Sequence, residues 1–329
     1  MPLADAQPVA VIACWLARYP DIRPGICVCL RVSEVGREND RFQFGLTTRG
    51  GPLATHELTT TGAATGAPLD WLLWFELFGA EAPLAGIQAA DRLSARPIIT
   101  WEPWRGPSSG ISPSVMSQVN AGVHDSHIRR WASRLRDTGT TVYLRFGHEF
   151  NGHWYPWSPT GGTSAATFVE VWHRLHRLFG QEQAHAVRWI WSPNAVSESG
   201  APLAQWYPGD DYVDAIGVDG YNWGTSQTWS QWVDPDELFE PILDEIAALA
   251  TGKPVLVTEV GCAEAGGSKP DWITALIEYL SQRVELTGMV WFDHDKETDW
   301  QIMSSPASAA AMAEALRRTT RPNRSGKLS

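Results

Sequence analysis

The feature that most constrains the fold is an alternation of short apolar runs with longer segments of helical spacing. It begins near Arg41 and continues almost to the end of the 329 residues. Eight runs are rich in β-branched or aromatic residues: FQFGLTT (42–48), DWLLWFELF (70–78), RPIITWEP (96–103), TVYLRFGHE (141–149), AVRWIWSPN (186–194), VDAIGVDGYNW (213–223), KPVLVTEVG (253–261) and LTGMVWFDHD (286–295). Their inner parts are almost continuously apolar, which is typical of parallel strands covered on both faces.

Helical spacing follows most of these runs. The clearest cases are DSHIRRWASRLRDTG (125–139), AATFVEVWHRLHRLFG (165–180), DELFEPILDEIAALATG (236–252), DWITALIEYLSQRV (271–284) and ASAAAMAEALRR (307–318). Three of them finish in a glycine that commonly ends a helix, namely Gly139, Gly180 and Gly252. The connection around APLAQWYPGDD (201–211) is too short for a long helix. Eight β-α alternations predict a (β/α)8 barrel, the TIM-barrel form of the α/β class.

The alternative, a doubly wound open sheet, requires a glycine-rich phosphate turn after its first strand. LTTRGGPLA, which follows the first run, is not a GxGxxG turn, so this alternative is disfavoured. No repeat, charge block or linker divides the barrel, and we assign residues 41–319 to one catalytic domain. Residues 1–40 fit the pattern poorly and are read as an N-terminal extension of uncertain structure. The last ten residues, 320–329, are expected to be a disordered tail.

Composition excludes several classes of protein. The formal net charge of −11 argues against a nucleic-acid partner, which needs clustered Lys and Arg. No apolar stretch is long enough to span a bilayer. The four cysteines form no CxxC pair, so neither a disulfide framework nor a structural zinc site is expected. The eighteen tryptophans are many for this length; they predict core packing together with flat platforms for a sugar or aromatic ligand.

Polar residues at the carboxyl ends of the strands are the candidate site, because reacting groups collect at that end of a (β/α)8 barrel. The candidates are Glu76, Glu102, Arg145, His148, Glu149, Asn151, Asn194, Asp219, Tyr221, Asn222, Glu259, Asp293 and His294. Glu149 ends the fourth run and Glu259 lies near the end of the seventh. Strands four and seven face each other across an eight-stranded barrel, so the two carboxylates can converge. A carboxylate pair that flanks a glycosidic bond is the usual equipment for its hydrolysis.

Six segments resemble glycoside hydrolase family 26, the β-mannanase-like retaining glycanases of the large (β/α)8 glycosidase clan. They are IITWEPW (98–104), RFGHEFNGHWYPWS (145–158), WIWSPN (189–194), VDGYNWG (218–224), VTEVG (257–261) and WFDHDKETDW (291–300). The resemblance runs from Phe42 to Met303. The most specific part is the His-Glu pair followed by Asn-Gly and by Trp154, five residues after Glu149.

The resemblance implies roles for individual residues. Glu149 would be the general acid and base and Glu259 the nucleophile of a retaining hydrolase. Supporting residues would be His148, Tyr221, Asp219 and Arg145. Substrate would be bound by Trp101, Trp154, Trp291, Asn194, Asn222, Trp223 and Glu102. No cofactor and no metal are expected, since FDHDKETD (292–299) lacks the spacing and central glycine of a calcium loop.

Which glycan is cut stays open among three substrates of the family. An endo-β-1,4-mannanase is the first expectation; a mixed-linkage endo-β-1,3-1,4-glucanase and an endo-β-1,3-xylanase are the alternatives. Mannan-active members often carry a histidine near the end of strand two, where this chain has Trp74 and Glu76. A barrel that binds glycans without cutting them is the alternative from another class.

The expected partner is a β-linked oligo- or polysaccharide, with no nucleic acid, no membrane and a monomeric state. Such a substrate favours a secreted or extracytoplasmic location. The run PVAVIACWLA (8–17) has the length of a signal-peptide core, yet Asp5 lies where positive charge is expected and no convincing cleavage site follows. The export route therefore stays undecided.

Overall fold

Eight parallel strands close into a barrel in the order of the chain, with β8 hydrogen-bonded back to β1. The computed structural model describes residues 41–106, 114–197, 200–249 and 251–319. The strands are β1 (Gln43–Thr48), β2 (Trp71–Leu77), β3 (Arg96–Glu102), β4 (Val142–Phe146), β5 (Val187–Trp191), β6 (Ala215–Asn222), β7 (Val255–Cys262) and β8 (Leu286–Asp293). Seven of them lie inside the apolar runs and β7 extends one residue beyond its run, to Cys262, so the predicted (β/α)8 barrel is confirmed.

Helices surround this barrel. They are α1 (Thr55–Thr65), α2 (Leu84–Arg92), α3 (Met116–Asn120), α4 (Asp125–Thr138), α5 (Ala165–Gln181), α6 (Pro235–Ala248), α7 (Lys269–Gln282) and α8 (Pro306–Arg318). The five segments predicted from helical spacing correspond to α4–α8. Gly139 ends α4 with a left-handed φ of 67°, whereas α5 continues one residue past Gly180. The β5–β6 connection has only short 3-10 turns in its described part, at Leu203–Gln205 and Asp210–Tyr212, as its length predicted.

The core has two parts that follow the alternation of side chains along the strands. One face of each strand packs outward against the helices; there Trp101 of β3 lies between Phe78 and Trp131, with ring centroids 5.0 and 4.3 Å apart. The other face fills the barrel with a small apolar layer that includes Leu73, Ile98, Ile190, Leu256 and Val290. This layer closes the interior, so that polar residues collect above it, towards the carboxyl ends of the strands.

Irregular pairing on both sides of β7 shapes that upper region. The β6–β7 register shifts between Val218 and Asp219, which leaves Asp219 opposite Glu259. The β7–β8 register shifts between Val257 and Val260. An irregularity of this kind redirects a side chain locally, and here it affects Thr258 and Glu259.

The elements run from Gln43 to Arg318, inside the bounds predicted for the barrel. The predicted N-terminal extension, 1–40, and the predicted tail, 320–329, lie outside the described residues. In the part of the chain that is described, no helix is both long and apolar enough to cross a membrane.

Candidate active site

A buried guanidinium organises the polar layer above the apolar plug. Arg145, from β4, has no exposed surface. Its Nη1 donates to Oδ2 of Asp219 at 2.6 Å, its Nη2 donates to Oε1 of Glu259, and Nε and Nη2 donate to Oγ1 of Thr100 at 2.9 and 2.7 Å. The two neighbouring carboxylates hold the pKa of Arg145 above its usual range against the opposing effect of burial. Arg145 is therefore a permanent positive charge that fixes two carboxylates from different strands.

Asp219 is held by a set of hydroxyl groups as well as by Arg145. Oγ1 of Thr258 donates to its Oδ1 at 2.6 Å, and Oγ of Ser192 lies 2.9 Å from Oγ1 of Thr258. Gly217 lies beside this pair: a Cβ there would approach Oγ of Ser192 to 2.5 Å and Oγ1 of Thr258 to 2.6 Å. The glycine is needed because the hydroxyl groups fill the space that a side chain would occupy.

Glu259 receives donors on both of its oxygens. Arg145 binds Oε1, and the phenol of Tyr221 donates to Oε2 at 2.5 Å. The Tyr221 ring is itself fixed between Phe292 and Trp300, with centroids 5.5 and 5.1 Å away. The hydrogen bonds from the guanidinium and the phenol fix the direction of this carboxylate.

Glu149 lies just beyond β4 in a left-handed backbone conformation, with φ of 52°. Such a conformation costs about 1–3 kcal/mol for a residue other than glycine and is concentrated at functional sites. Its amide donates to the carbonyl of Ser192 at 2.8 Å, which holds the turn in place. Nδ2 of Asn194 donates to Oε1 and Nε1 of Trp154 donates to Oε2, both at 2.7 Å. The carboxyl group is thus fixed by two neutral donors.

The two glutamates differ in their electrostatic surroundings. Burial, together with the negative charge of Glu259, raises the pKa of Glu149 to about 7, although Asn194 and Trp154 act in the opposite direction. Burial also raises the pKa of Asp219 well above its usual value, against the attraction of Arg145. Three buried carboxyl groups share one guanidinium, so the cluster retains a proton near neutral pH.

His148, which precedes Glu149 in the chain, is buried among aromatic rings. Its Nε2 is 3.2 Å from the hydroxyl of Tyr155, and its carbonyl accepts from Nε1 of Trp157 at 2.7 Å. Burial and the charge of Arg145 hold the pKa of His148 well below its usual value, so the ring is neutral. Tyr155 stacks on Trp157 with centroids 4.1 Å apart. These rings shield the backbone turn that presents Glu149.

The chain matches the model of a known family over residues 113–310, and the description of that model is Glycosyl hydrolase family 26. The match spans more than half of the 329 residues. The chain belongs to glycosyl hydrolase family 26. The resemblance noted in the sequence is thereby confirmed.

Several characterised proteins are similar to this family 26 chain. Endoglucanase H of Acetivibrio thermocellus is 36% identical over 226 residues, which are 67% of this chain and 24% of that protein. Mannan endo-1,4-beta-mannosidase A and B of Caldalkalibacillus mannanilyticus is 25% identical over 182 residues, which are 52% of this chain and 32% of that protein. The chain therefore spans about a quarter to a third of the length of these curated relatives.

Solved structures share the fold at low identity. A GH26 β-mannanase from Bacteroides ovatus, BoMan26A, superposes with a TM-score of 0.66 at 18% identity, covering 86% of this chain and 90% of that one. The catalytic domain of the GH26 endo-β-1,4-mannanase of Bacillus sp. JAMB-750 gives 0.63 at 19% identity, covering 85% of this chain and 86% of that one. At such identities the similarity supports the barrel and carries no further information about the substrate.

Most residues expected at the site of this family 26 chain converge there. Glu149, Glu259, Arg145, Asp219, Tyr221 and His148 form the network described above. Trp154 is 43% exposed beside Glu149, and Trp223 lies with its ring centroid 6.3 Å from that of Tyr221. Glu102 is partly buried at the end of β3; burial raises its pKa, and the charge of Glu259 acts in the same direction.

Four expected substrate contacts are corrected by the structure. Trp101 and Trp291 have no exposed surface, because their positions on β3 and β8 face the helices. Asn222 is also fully buried, and its Oδ1 accepts from the amides of Gly224 and Val233, so it anchors a loop. The side chain of Asn194 donates to Oε1 of Glu149 and accepts from the amide of Val196, so it positions the carboxyl group of Glu149.

The residue of β2 that faces the site is Phe75, whose ring centroid is 5.9 Å from that of His148. Trp74 and Glu76, singled out in the sequence, lie on the other face, where Nε1 of Trp74 donates to Oε1 of Glu76 at 3.1 Å. The sequence motifs assign no role to Thr100, Ser192 and Thr258. The feature that could have identified them is a hydroxyl group inside, or directly after, an otherwise apolar strand.

No cluster of three or more His, Cys, Asp or Glu side chains suited to a metal ion occurs within the described ranges. His124 and His127, which lie three residues apart, contact Oε1 of Gln118 at 2.8 Å and the carbonyl of Phe78 at 2.6 Å, respectively.

Proposed function

We propose that the chain is a retaining endo-β-glycanase in which Glu149 is the general acid and base and Glu259 is the nucleophile. The observation that carries the proposal is the difference between the two carboxyl groups. Glu149 has a pKa of about 7 and accepts only neutral donors, whereas Glu259 accepts from a guanidinium and a phenol. A carboxyl group that holds a proton near neutral pH, next to a second one fixed by a guanidinium and a phenol, suits the cleavage of a glycosidic bond with retention.

In the first step an oxygen of Glu259 attacks the anomeric carbon while Glu149 gives its proton to the glycosidic oxygen. The bond between the anomeric carbon and that oxygen breaks, and the leaving sugar departs as an alcohol. The product is a glycosyl ester on Glu259. Arg145 and Tyr221, which hold Glu259 from both oxygens, direct the attacking carboxylate.

The second step reverses the proton transfer. Ester formation removes the negative charge of Glu259, and with it one of the causes that raise the pKa of Glu149. Glu149 is now ionised and takes a proton from a water molecule, whose oxygen attacks the anomeric carbon. The ester bond breaks, Glu259 leaves as a carboxylate, and the sugar keeps its original anomeric configuration.

Mannan is the first candidate substrate. Relatives from several bacteria and one fungus carry the name mannan endo-1,4-beta-mannosidase, at 25–31% identity over 30–52% of this chain. The exposed Trp154 beside Glu149 offers an apolar face to a pyranose ring. We expect cleavage at internal bonds of the polysaccharide, because the names of these relatives specify it and because aromatic side chains such as Trp154 lie beside the carboxylate pair.

A β-glucan is the second candidate, favoured by one specific observation. The relative named Endoglucanase H is 36% identical over 67% of the chain, a longer match at higher identity than those to the mannosidases. Mannose and glucose differ in the direction of the 2-hydroxyl group, which a few polar contacts distinguish. At the end of β2 this chain presents the apolar Phe75 to the site, so a polar contact with that hydroxyl has to come from another strand.

Release of reducing sugar from galactomannan, glucomannan, barley β-glucan and β-1,3-xylan tests both candidates. If mannan is the substrate, we expect turnover of both glucomannan and galactomannan. If β-glucan is the substrate, we expect turnover of barley β-glucan. Glu149→Gln and Glu259→Gln should each abolish turnover of the active polysaccharide. Binding without release of sugar from any of the four would instead indicate a non-catalytic glycan-binding barrel.

Polysaccharides such as mannan and β-glucan are encountered outside the cytoplasm, so we also propose an extracytoplasmic location for this protein. Fractionation of the source cells, with detection of the protein in the medium or the envelope, tests it. Recovery in the cytoplasmic fraction alone would contradict it.

A further inference from the structure

Trp229 is the most exposed aromatic side chain in the described parts of the chain, with 69% of its surface accessible. An indole in water is costly, because a tryptophan gains more from burial than almost any other side chain. Trp154 is the other exposed tryptophan among the described residues, and its role is visible, since it donates to Glu149. Trp229 has no such role in the catalytic network.

A series of rings connects Trp229 to the nucleophile. Its centroid lies 5.2 Å from that of Trp223, and Trp223 lies 6.3 Å from Tyr221, which donates to Glu259. Trp154 meets the other carboxyl group directly. Trp154 thus lies at Glu149, whereas Trp229 lies further out and is connected to Glu259 through Trp223 and Tyr221.

The loop that carries Trp229, residues 223–234, is fixed on both sides. Oδ1 of Asn222 accepts from the amides of Gly224 and Val233, which are the two ends of the loop. Oγ of Ser230 donates to the carbonyl of Gly224 at 2.8 Å. Nε2 of Gln227 donates to the carbonyl of Glu297 at 3.4 Å, which joins the loop to the one that follows β8.

The position of Gly224 adds a steric reason for this arrangement. It has φ of 52°, and a Cβ there would lie 1.8 Å from the carbonyl oxygen of Ala265. The backbone of the loop is thus pressed against the β7–α7 connection, where the amide of Thr225 donates to the same oxygen at 3.0 Å. A ring held by such a loop is preorganised, so the protein loses little conformational entropy when a ligand stacks on the ring.

We propose that Trp229 is a distal sugar-binding platform, which stacks on a pyranose unit of a β-linked glycan beyond the units held at the carboxylate pair. The C–H face of a pyranose is apolar and flat, and it covers an exposed indole while the hydroxyl groups stay in water. The inference rests on the proposed function for its ligand class. The contact with Trp229 acts only on glycans that are long enough to reach from Glu259 past Trp223.

The test compares substrates of two lengths. Mannohexaose and mannotriose are the probes, with oligosaccharides of the same lengths from barley β-glucan used in the same way if glucan proves to be the substrate. For Trp229→Ala we expect KM for the hexasaccharide to rise about fivefold to tenfold, a loss of roughly 1–1.4 kcal/mol. The change for the trisaccharide should stay within about twofold of the native enzyme. Trp229→Phe, which keeps a flat ring, should recover most of the affinity.

Val284→Ala is the matched control, because Val284 is 72% exposed and precedes β8 at the opposite end of the barrel. It should leave both KM values unchanged. Titration calorimetry with mannohexaose adds a readout that needs no turnover. Equal effects of Trp229→Ala on both lengths, or no effect on the hexasaccharide, would overturn the inference while leaving the hydrolase intact. Length-dependent loss of binding in a protein that cuts nothing would support the platform and overturn the proposed catalysis.

Discussion

Tyr221 donates its phenolic hydrogen to Oε2 of Glu259 at 2.5 Å, and the two residues come from β6 and β7, whose pairing register shifts between Val218 and Asp219. Val218 pairs with Val257, but Asp219 pairs with Glu259, so Thr258 is the extra residue. This slip lets β7 present both Thr258 and Glu259 to the polar layer, one to Asp219 and the other to Tyr221. A regular strand would turn one of them away.

Tyr221→Phe should lower kcat/KM by about 10- to 100-fold, since a hydrogen bond to a charged group contributes about 1.5–3 kcal/mol. Steady-state rates with the active polysaccharide check the change. Tyr279→Phe, which removes a hydroxyl that bonds Glu240 on the surface, serves as the control. An unchanged kcat/KM in Tyr221→Phe would show that the phenol of Tyr221 does not act through Glu259.

The alkaline limb of kcat/KM should lie near pH 7 and report Glu149. Under the proposed mechanism the free enzyme is active only when Glu149 is protonated, and burial and the charge of Glu259 raise the pKa of Glu149 to about 7. Activity is therefore full below that value and lost as the pH rises through it. With an aryl glycoside whose leaving group needs no proton, the limb should disappear from the first step. Persistence of the same limb with that substrate would assign it to another group.

Arg145→Met should lower the free energy of unfolding by about 3–5 kcal/mol, because Asp219 and Glu259 lose the cationic partner that they share in a buried site. Urea denaturation followed by circular dichroism measures the change. Arg134→Met breaks an ion pair with Glu81 in which both side chains are about half exposed, and it should cost at most about 1 kcal/mol. Similar losses in both variants would contradict the structural importance assigned to Arg145.

Gly217→Ala should lower the free energy of unfolding by about 1–3 kcal/mol and reduce kcat, since the new methyl group displaces Ser192 and Thr258 from below Asp219. Gly180→Ala is the opposite case. A Cβ at Gly180, inside α5, meets no atom within 4 Å, so the helix should gain about 0.5–1 kcal/mol. Thermal unfolding of the two variants compares them. Gly217→Ala at native stability would mean that the hydroxyl cluster repacks freely.

The architecture and the two central carboxylates could be predicted from the sequence because both leave local signals. Apolar runs bounded by polar ends define the strands, and α4–α8 have clear helical spacing. Helix α1 has no clear signal in the sequence, because THELTTTGAAT is rich in threonine and contains glycine, residues of low helix propensity. Its amphipathic pattern is correspondingly weak.

The orientation of tryptophans on the strands could not be predicted in the same way. Strands of a parallel barrel are apolar on both faces, so the neighbours of Trp101 and Trp291 do not reveal which face meets the helices. Thr100 and Phe292, the adjacent residues, face the interior instead. Trp229 could not be predicted for a different reason. It lies in a loop outside every strand-end motif, and its exposure is visible only in the structure.

The most direct test of the two roles is to locate the covalent intermediate by mass spectrometry. Glu149→Gln and Glu259→Gln are each mixed with a dinitrophenyl β-glycoside of the sugar that the polysaccharide panel identifies, then digested and sequenced. We predict that Glu149→Gln accumulates one glycosyl unit on Glu259, because the first step needs no acid and the second lacks its base, and that Glu259→Gln accumulates none. A glycosyl unit on another residue, or rapid turnover by Glu259→Gln without an adduct, would contradict the assignment of Glu259 as the nucleophile.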